Sequence, residues 1–168
     1  SFRLFGSDMD FSQVLVLILA ILLSAMIAIV FHEVAHGYVA MKFGDYTAKA
    51  RGRLTLNPVE HFDLVGLLML LLVGFGWAKP VPIDPNNFTD YKKGMIGVSI
   101  AGVVTNIILG SLFLLVLYLI APIMAISTTS RVIFVLQQFL FYFVIYSVMI
   151  NFMLAFFNLL PIYPLDGF

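Results

Sequence analysis

Long runs of apolar residues alternate along the chain with short polar connections. The apolar runs cover residues 11–40, 64–77, 94–121 and 132–160. The first, third and fourth exceed the roughly 20 residues that an α-helix needs to cross about 30 Å of hydrocarbon. The second is shorter and ends in a glycine-rich turn, which is typical of a re-entrant or short hydrophobic segment. The pattern therefore predicts an all-α polytopic membrane protein with three transmembrane helices.

The connections carry a different pattern. A period-2 alternation over residues 51–56 predicts a small β or extended element beside the membrane. The distribution of basic residues predicts that this side of the membrane is cytoplasmic. The later connection "AKPVPIDPNNF" contains three prolines, which are excluded from a helix interior. We expect an extended loop there.

Composition agrees with an integral membrane protein. Of the 168 residues 62% are hydrophobic and 11% charged, and the mean hydropathy is +1.07, which is too apolar for one soluble core. Nine basic and nine acidic residues cancel, so nothing indicates a nucleic-acid partner. Without cysteine, any metal must be bound by nitrogen and oxygen. No repeat or flexible linker divides the chain, so residues 1–168 are predicted to form a single membrane-embedded core.

The distribution of basic residues predicts the orientation. If residues 64–77 enter and leave on one side, that side holds seven of the nine basic residues: Lys42, Lys49, Arg51, Arg53, Lys79, Lys92 and Lys93. The positive-inside rule then makes this side cytoplasmic and places the N-terminus outside. A full crossing would divide the basic residues five against four and give no preference.

A cluster of ionisable residues ends the first apolar run, in "IAIVFHEVAHGYVA". An ionisable residue at the centre of a membrane helix costs roughly 2.5 to 3.5 kcal/mol, so such residues are usually functional. His32 and His36 are four positions apart and share one helix face, and Glu33 lies beside them. This HExxH spacing predicts two zinc ligands with Glu33 as the general base. The alternative is a pair of buried or interfacial histidines that bind no metal.

A catalytic zinc needs a third protein ligand. Asp8 and Asp10 lie at the far end of the first helix, and Asp45, Asp84 and Asp90 lie in polar loops where we expect solvated carboxylates. The candidates that are left are Glu60, His61, Asp63 and Asp166.

Asp166 is the preferred candidate. It follows a long apolar helix and lies in "NLLPIYPLDGF", where the prolines break the helix. Irregular backbone at membrane depth is tolerated where it lines a cavity, and a cavity suits a metal site. The alternative is a simple helix stop with a capping aspartate. His61 is the competing ligand, although an interfacial or hydrogen-bonded histidine suits its context in "NPVEHFD".

Two motifs together resemble a known family. "HEVAHG" at His32 and "NLLPIYPLDG" from Asn158 resemble the signatures of the site-2 proteases, the intramembrane zinc metalloproteases. The segments "GRLTLNPVEHFD" and "GWAKPVPIDPNNF" are similar to its compact bacterial or archaeal-type branch. The resemblance implies one zinc ion per chain, with Glu33 as general base, bound by His32, His36 and Asp166.

The resemblance also implies roles for two asparagines. Asn158 corresponds to a catalytic residue that orients the substrate or stabilises the oxyanion, against the alternative of an interhelical hydrogen bond. Asn106, in "AGVVTN", also matches a recurrent feature of the family. We interpret the small residues before it, Ala101 and Gly102, as positions of close helix packing.

The function implied is hydrolysis of a peptide bond within or near the transmembrane segment of a membrane-anchored regulatory protein, close to the cytoplasmic face of a prokaryotic plasma membrane. The implied partners are a membrane-spanning protein substrate, the lipid bilayer and an unidentified gating protein. The alternatives are a membrane metal-ion transporter and an inactive protease-like scaffold. Because family members continue beyond the "LDG" motif, we expect the core at 1–168 to be C-terminally truncated.

Overall fold

The fold is mostly helical. The computed structural model describes residues 2–4, 7–73, 78–124 and 126–160. Its long helices are α1 (Phe11–Lys42), α4 (Tyr91–Met124) and α5 (Arg131–Asn158). The short elements are β1 (Phe2–Leu4), β2 (Ser7–Met9), α2 (Thr47–Ala50) and α3 (Leu64–Val73), with 3₁₀ turns at Pro58–Glu60 and Pro85–Asn87.

The three long helices pack against one another, each touching the other two. Each is long and apolar enough to cross a membrane, which confirms the prediction of three such helices. Their outer surfaces expose large apolar side chains, whereas the centre of the bundle contains polar residues. Small and polar contacts between helices are typical of proteins in lipid, where apolar burial between helices brings no gain over contact with lipid. The candidate residues His32 and His36 are buried in this polar centre.

Local signals explain where α1 begins and ends. Asp10 accepts a hydrogen bond from the backbone of Gln13, whose side chain bonds back to the Asp10 backbone. This capping box satisfies free N–H groups of the first turn. At the other end Gly44 adopts φ 103°, a left-handed conformation that glycine accommodates without strain. A β-carbon there would also lie 3.0 Å from the carbonyl oxygen of Asn87. The chain can therefore turn sharply after α1.

The two ends of the second apolar stretch lie side by side. Phe62 and Ala78 form an isolated antiparallel bridge, and the backbone N–H of Lys79 donates to the carbonyl of His61 over 2.8 Å. Between them α3 has ten residues. At 1.5 Å per residue it is about 15 Å long, too short to cross the hydrocarbon. Phe62 and Ala78 are therefore neighbours, and residues 74–77 lie outside the described part.

The prediction of a β element at residues 51–56 is wrong. The described chain forms α2 just before it and then turns at Gly52, whose φ is 66°. Alternation fails because the Arg53 side chain is buried and folds over the carbonyls of Lys79 and Pro80 instead of lying on one face of a strand. The strands that the structure does describe, β1 and β2, pair antiparallel near the N-terminus.

Candidate metal centre

His32 and His36 meet on one face of α1. The i and i+4 spacing places both rings on the side that packs against α4, where each is 7% exposed. Their Nε2 atoms lie 3.0 Å apart, with the ring planes nearly perpendicular at 80°. The two nitrogens are therefore presented to the same point, as the HExxH spacing predicts.

The second ring nitrogen of His36 faces a backbone acceptor. Nδ1 of His36 lies 2.7 Å from the carbonyl oxygen of Val98 on α4. A carbonyl can only accept, so Nδ1 carries a proton, and in the neutral tautomer that a metal ligand requires the lone pair lies on Nε2. Histidines that bind metals are held in this way, with one nitrogen donating to a carbonyl and the other facing the ion.

His32 has the same tautomer, set by a side chain. Its Nδ1 lies 2.5 Å from Oδ1 of Asn106. The amide nitrogen of Asn106 faces two other acceptors, the carbonyl of Ala28 at 3.2 Å and Oδ1 of Asn151 at 2.8 Å. The oxygen of Asn106 must therefore face His32, whose Nδ1 donates. Both histidines consequently have their lone pairs on the Nε2 atoms that meet.

Gly102 makes room for this arrangement. A β-carbon placed on Gly102 would lie 2.6 Å from both ring nitrogens of His32. Only a residue without a side chain lets α4 approach the imidazole so closely. The predicted close packing at Ala101 and Gly102 is confirmed, since both residues are buried.

Glu33 is held by a backbone amide from the proline-rich loop. Its Oε2 accepts a hydrogen bond of 2.8 Å from the N–H of Val81. Val81 is buried and packs on Gly37, where an added β-carbon would lie 2.8 Å from its Cγ1. The sequence contains a signal for this contact: in "KPVP" Val81 is flanked by two prolines, which have no N–H to donate.

A buried arginine fixes the same loop. Nη2 of Arg53 donates to the carbonyl of Lys79 at 2.8 Å and reaches that of Pro80 at 3.3 Å. These carbonyls immediately precede Val81. Arg53 therefore holds the segment whose next N–H reaches Glu33.

Asp45 was expected to be solvated, and the structure corrects this. Its side chain is buried and accepts hydrogen bonds from the backbone and hydroxyl of Thr47, the backbone of Asp84 and the side chain of Asn87. Burial raises the pKa of Asp45, but these hydrogen bonds outweigh it and hold the pKa below its ordinary value. The carboxylate ties the end of α1 to the loop that carries Val81.

Three of the four candidates for a third ligand lie in the described residues, and none of them joins the histidines in a three-residue metal-binding group. His61 is buried with Nε2 on the carbonyl of Thr55 at 2.7 Å. Asp63 accepts from the backbone of Gly66 near the start of α3, and Glu60 is exposed. The fourth candidate, Asp166, lies outside the described residues.

Asn158 is the last residue of α5. It is half-buried, and its side-chain nitrogen donates to the carbonyl of Leu154, one turn earlier on the same helix, at 3.0 Å. Its predicted part in catalysis stays a prediction.

The residues present fit zinc. Two neutral imidazoles present Nε2 lone pairs to one point, each oriented by an acceptor on α4, and a carboxylate lies next to them on α1. Nitrogen and oxygen donors make up the ligand sets of many catalytic zinc sites.

Curated relatives point the same way. One is named "Putative zinc metalloprotease YwhC", from Bacillus subtilis (strain 168), and is 44% identical over 153 residues, covering 88% of this chain and 65% of the relative. Another is named "Putative zinc metalloprotease Rip2", from Mycolicibacterium smegmatis (strain ATCC 700084 / mc(2)155), and is 30% identical over 95 residues, covering 53% of this chain and 36% of the relative.

The chain is a relative of proteins named as zinc metalloproteases. Both names are consistent with the resemblance to the site-2 protease family. No family model matches the chain, and no solved structure matches it significantly. The chain spans less than two-thirds of the length of either relative.

Proposed function

We propose that this chain is the core of an intramembrane zinc metalloendopeptidase of the site-2 protease type. Its substrate is a membrane-anchored regulatory protein, cut within or near its transmembrane segment. The observation that carries the proposal is the pairing of the Nε2 atoms of His32 and His36, 3.0 Å apart, beside Glu33 on a helix long enough to span a membrane. The names of the curated relatives support it.

Each residue of the motif has a distinct part in the reaction. His32 and His36 hold the zinc ion through Nε2, and Val98 and Asn106 keep both rings in the orientation that this requires. Zinc, when bound, supplies a Lewis acid that activates water and polarises the scissile carbonyl. Glu33, oriented by the N–H of Val81, accepts the proton of the attacking water and passes it to the departing amine nitrogen.

Asp166 completes the ligand set in this proposal. Glu60, His61 and Asp63 do not join the histidines in the described structure, which supports the remaining candidate. Asn158 ends α5 shortly before Asp166 in the sequence. There its amide is proposed to orient the substrate or to stabilise the oxyanion.

The membrane topology is part of the same proposal. The adjacent ends of the second apolar stretch support a re-entrant segment, and with it the seven basic residues share one side. That side is cytoplasmic by the positive-inside rule, and the end of α1 that carries the motif faces it. A helical substrate must unwind before its carbonyl can be attacked, because its backbone is internally hydrogen-bonded. Because the motif lies at the cytoplasmic end of α1, cleavage occurs near the cytoplasmic face of a prokaryotic plasma membrane.

Proteolysis in liposomes tests the function. The protein is reconstituted with a single-span reporter tagged at both ends, and cleavage is compared with that of the Glu33→Gln variant and of a chelator-treated sample. We expect Glu33→Gln to cut about 10²- to 10⁴-fold more slowly, the usual loss for a general base, and to retain its zinc.

Glu60→Gln is the matched control, since Glu60 is exposed and is the other glutamate of the chain. It should cut at the unaltered rate. Transport of zinc across the liposome by both the unaltered protein and Glu33→Gln, with no cleavage by either, would show a metal transporter instead.

A further inference from the structure

A chain of buried side-chain amides crosses the helix bundle and ends on His32. It runs from the backbone carbonyl of Ser147 through the amides of Asn151 on α5 and Asn106 on α4 to His32 on α1. We infer that Asn106 and Asn151 are positioning residues, which fix His32 as the Nδ1–H tautomer and thereby set the affinity for the metal. This inference rests on the zinc site of the proposed function.

The direction of every hydrogen bond in this amide chain is determined from its far end. Asn151 lies 2.8 Å from the backbone carbonyl of Ser147, so its Nδ2 must donate there and its Oδ1 must point to Asn106. Asn106 can then present only its Nδ2 to Asn151, which leaves its Oδ1 for His32. A backbone carbonyl of α5 thus dictates which imidazole nitrogen of α1 carries the proton.

Burial makes this direction difficult to reverse. Asn106, Asn151 and Ser147 all have no exposed surface. Turning either amide over would place donors against donors and acceptors against acceptors in a fully buried position. The carbonyl of Ala28, which takes the second proton of Asn106, holds the same orientation.

The hydrogen bonds of Asn106 do more than join the helices. The bonds from Asn106 to Ala28 and Asn151 already link α4 to both neighbours. The remaining oxygen of Asn106 is directed at His32 alone. The same bundle contains a polar link that meets this chain at the Ser147 hydroxyl and not at the carbonyl that accepts from Asn151: Ser24 donates to the carbonyl of Phe143 and accepts from that hydroxyl. The Ser24→Ala variant therefore shows the effect of losing an interhelical hydrogen bond that does not involve the Asn106 or Asn151 amide.

His36 supplies an internal comparison. Its Nδ1 donates to a backbone carbonyl, which no side-chain substitution removes. A change at Asn106 should therefore alter His32 and leave the tautomer of His36 as it is.

The test measures metal affinity and tautomer without relying on cleavage. Zn²⁺ affinity is determined by competition with a chromophoric chelator, and the metal-free protein is examined by ¹⁵N NMR of its histidine rings. Asn106→Leu should bind Zn²⁺ about 10- to 100-fold more weakly, the usual effect of losing such a supporting contact, and His32 should become a mixture of tautomers. Asn151→Leu, which leaves Asn106 beside His32, should show a smaller loss of the same kind.

Two further variants separate positioning from folding. Asn151→Asp should restore the affinity, because a neutral buried carboxyl group can donate to Ser147 and accept from Asn106 as the amide does. Ser24→Ala should lower the melting temperature and leave Zn²⁺ affinity unchanged. If Asn106→Leu does not fold, the Zn²⁺ affinities of Asn151→Leu and Asn151→Asp are compared instead, and that comparison tests the inference.

The outcomes separate this inference from the proposed function. Unchanged Zn²⁺ affinity and an unchanged His32 tautomer in Asn106→Leu and Asn151→Leu would overturn it, even if the unaltered protein is a protease. Weakened binding in these variants would support it, even if the unaltered protein cuts no reporter. An unaltered protein that binds no Zn²⁺ would overturn both.

Discussion

The histidines and the glutamate of the HExxH motif are held by different regions of the molecule. Between the helices, His32 is fixed by side-chain amides that are fully buried in the bundle. At the end of the bundle, Glu33 is fixed by one backbone N–H in a loop, at Val81. The proposed metal ligands thus depend on the packing of helices, whereas the proposed base depends on the position of a loop.

This difference follows from the surroundings of each region. A polar group between lipid-exposed helices must find a partner within the bundle, because lipid offers it none, and amide side chains supply both donors and acceptors. In the loop region the partners are backbone groups, held by the guanidinium of Arg53 and the carboxylate of Asp45. Changes in the first region should alter metal binding, and changes in the second should alter the base or the loop.

Gly102→Ala should have the largest effect, because it acts on the first region directly. The new methyl group would overlap the ring of His32, whose nitrogens lie 2.6 Å from that position. We expect Zn²⁺ affinity to fall by more than about 100-fold, beyond the loss of a supporting contact alone, with about 1–3 kcal/mol of destabilisation from overpacking. Zn²⁺ competition and thermal unfolding measure the two effects.

Gly110→Ala is its matched control on the same helix. There the added methyl group meets the edge of the Phe152 ring at 3.1 Å, and Gly110 lies about 12 Å along α4 from Gly102. Its Zn²⁺ affinity should be unchanged. Equal losses in the two variants would mean that α4 packing in general, and not the space beside His32, governs the site.

Val81→Pro should have the next largest effect, and it acts on the second region alone. It removes the N–H that reaches Glu33, in a segment where the residues on both sides are already prolines. Losing a hydrogen bond to a charged group costs about 1.5–3 kcal/mol, so we expect cleavage to slow by about 10- to 100-fold. Zn²⁺ affinity should stay the same.

Val81→Ala distinguishes the lost donor from lost packing. It keeps the N–H and removes the methyl groups that rest on Gly37. It should cleave the reporter faster than Val81→Pro does. Equal rates in the two variants would show that packing on α1, and not the bond to Glu33, is what the loop contributes.

The sequence predicted the first region only in part. The length and hydropathy of the apolar runs were sufficient to predict three helices. The spacing of His32 and His36 was sufficient to predict that they share one helix face. The role of Asn106 was not predictable in this way, because the contact joins residues 74 positions apart. Only helix packing brings α1 and α4 together in that register.

The second region was predicted less well because its bonds involve the backbone. A period-2 pattern suggested a strand at residues 51–56, but Arg53 points inward to carbonyls of a distant loop. Asp45 lies among polar residues in the sequence, yet four donors from two segments surround its carboxylate. Neither the burial of a charged side chain nor its backbone partners follow from residue type.

Asp45→Asn should have the smallest effect on cleavage, and the pH dependence of its stability tests how the second region is held. All the groups that contact Asp45 are donors, so an amide nitrogen there would face a donor and cost about 1–3 kcal/mol of stability near neutral pH. The pKa of Asp45 lies below its ordinary value of 3.8, so its contribution is complete above that value and is lost as the pH falls through the pKa of the folded state. Thermal unfolding between pH 7 and about pH 3 should therefore show the melting temperatures of the two proteins converging on acidification, with Zn²⁺ affinity near neutral pH unaltered. A constant difference across this range would mean that the Asp45 carboxylate does not fasten the loop to α1.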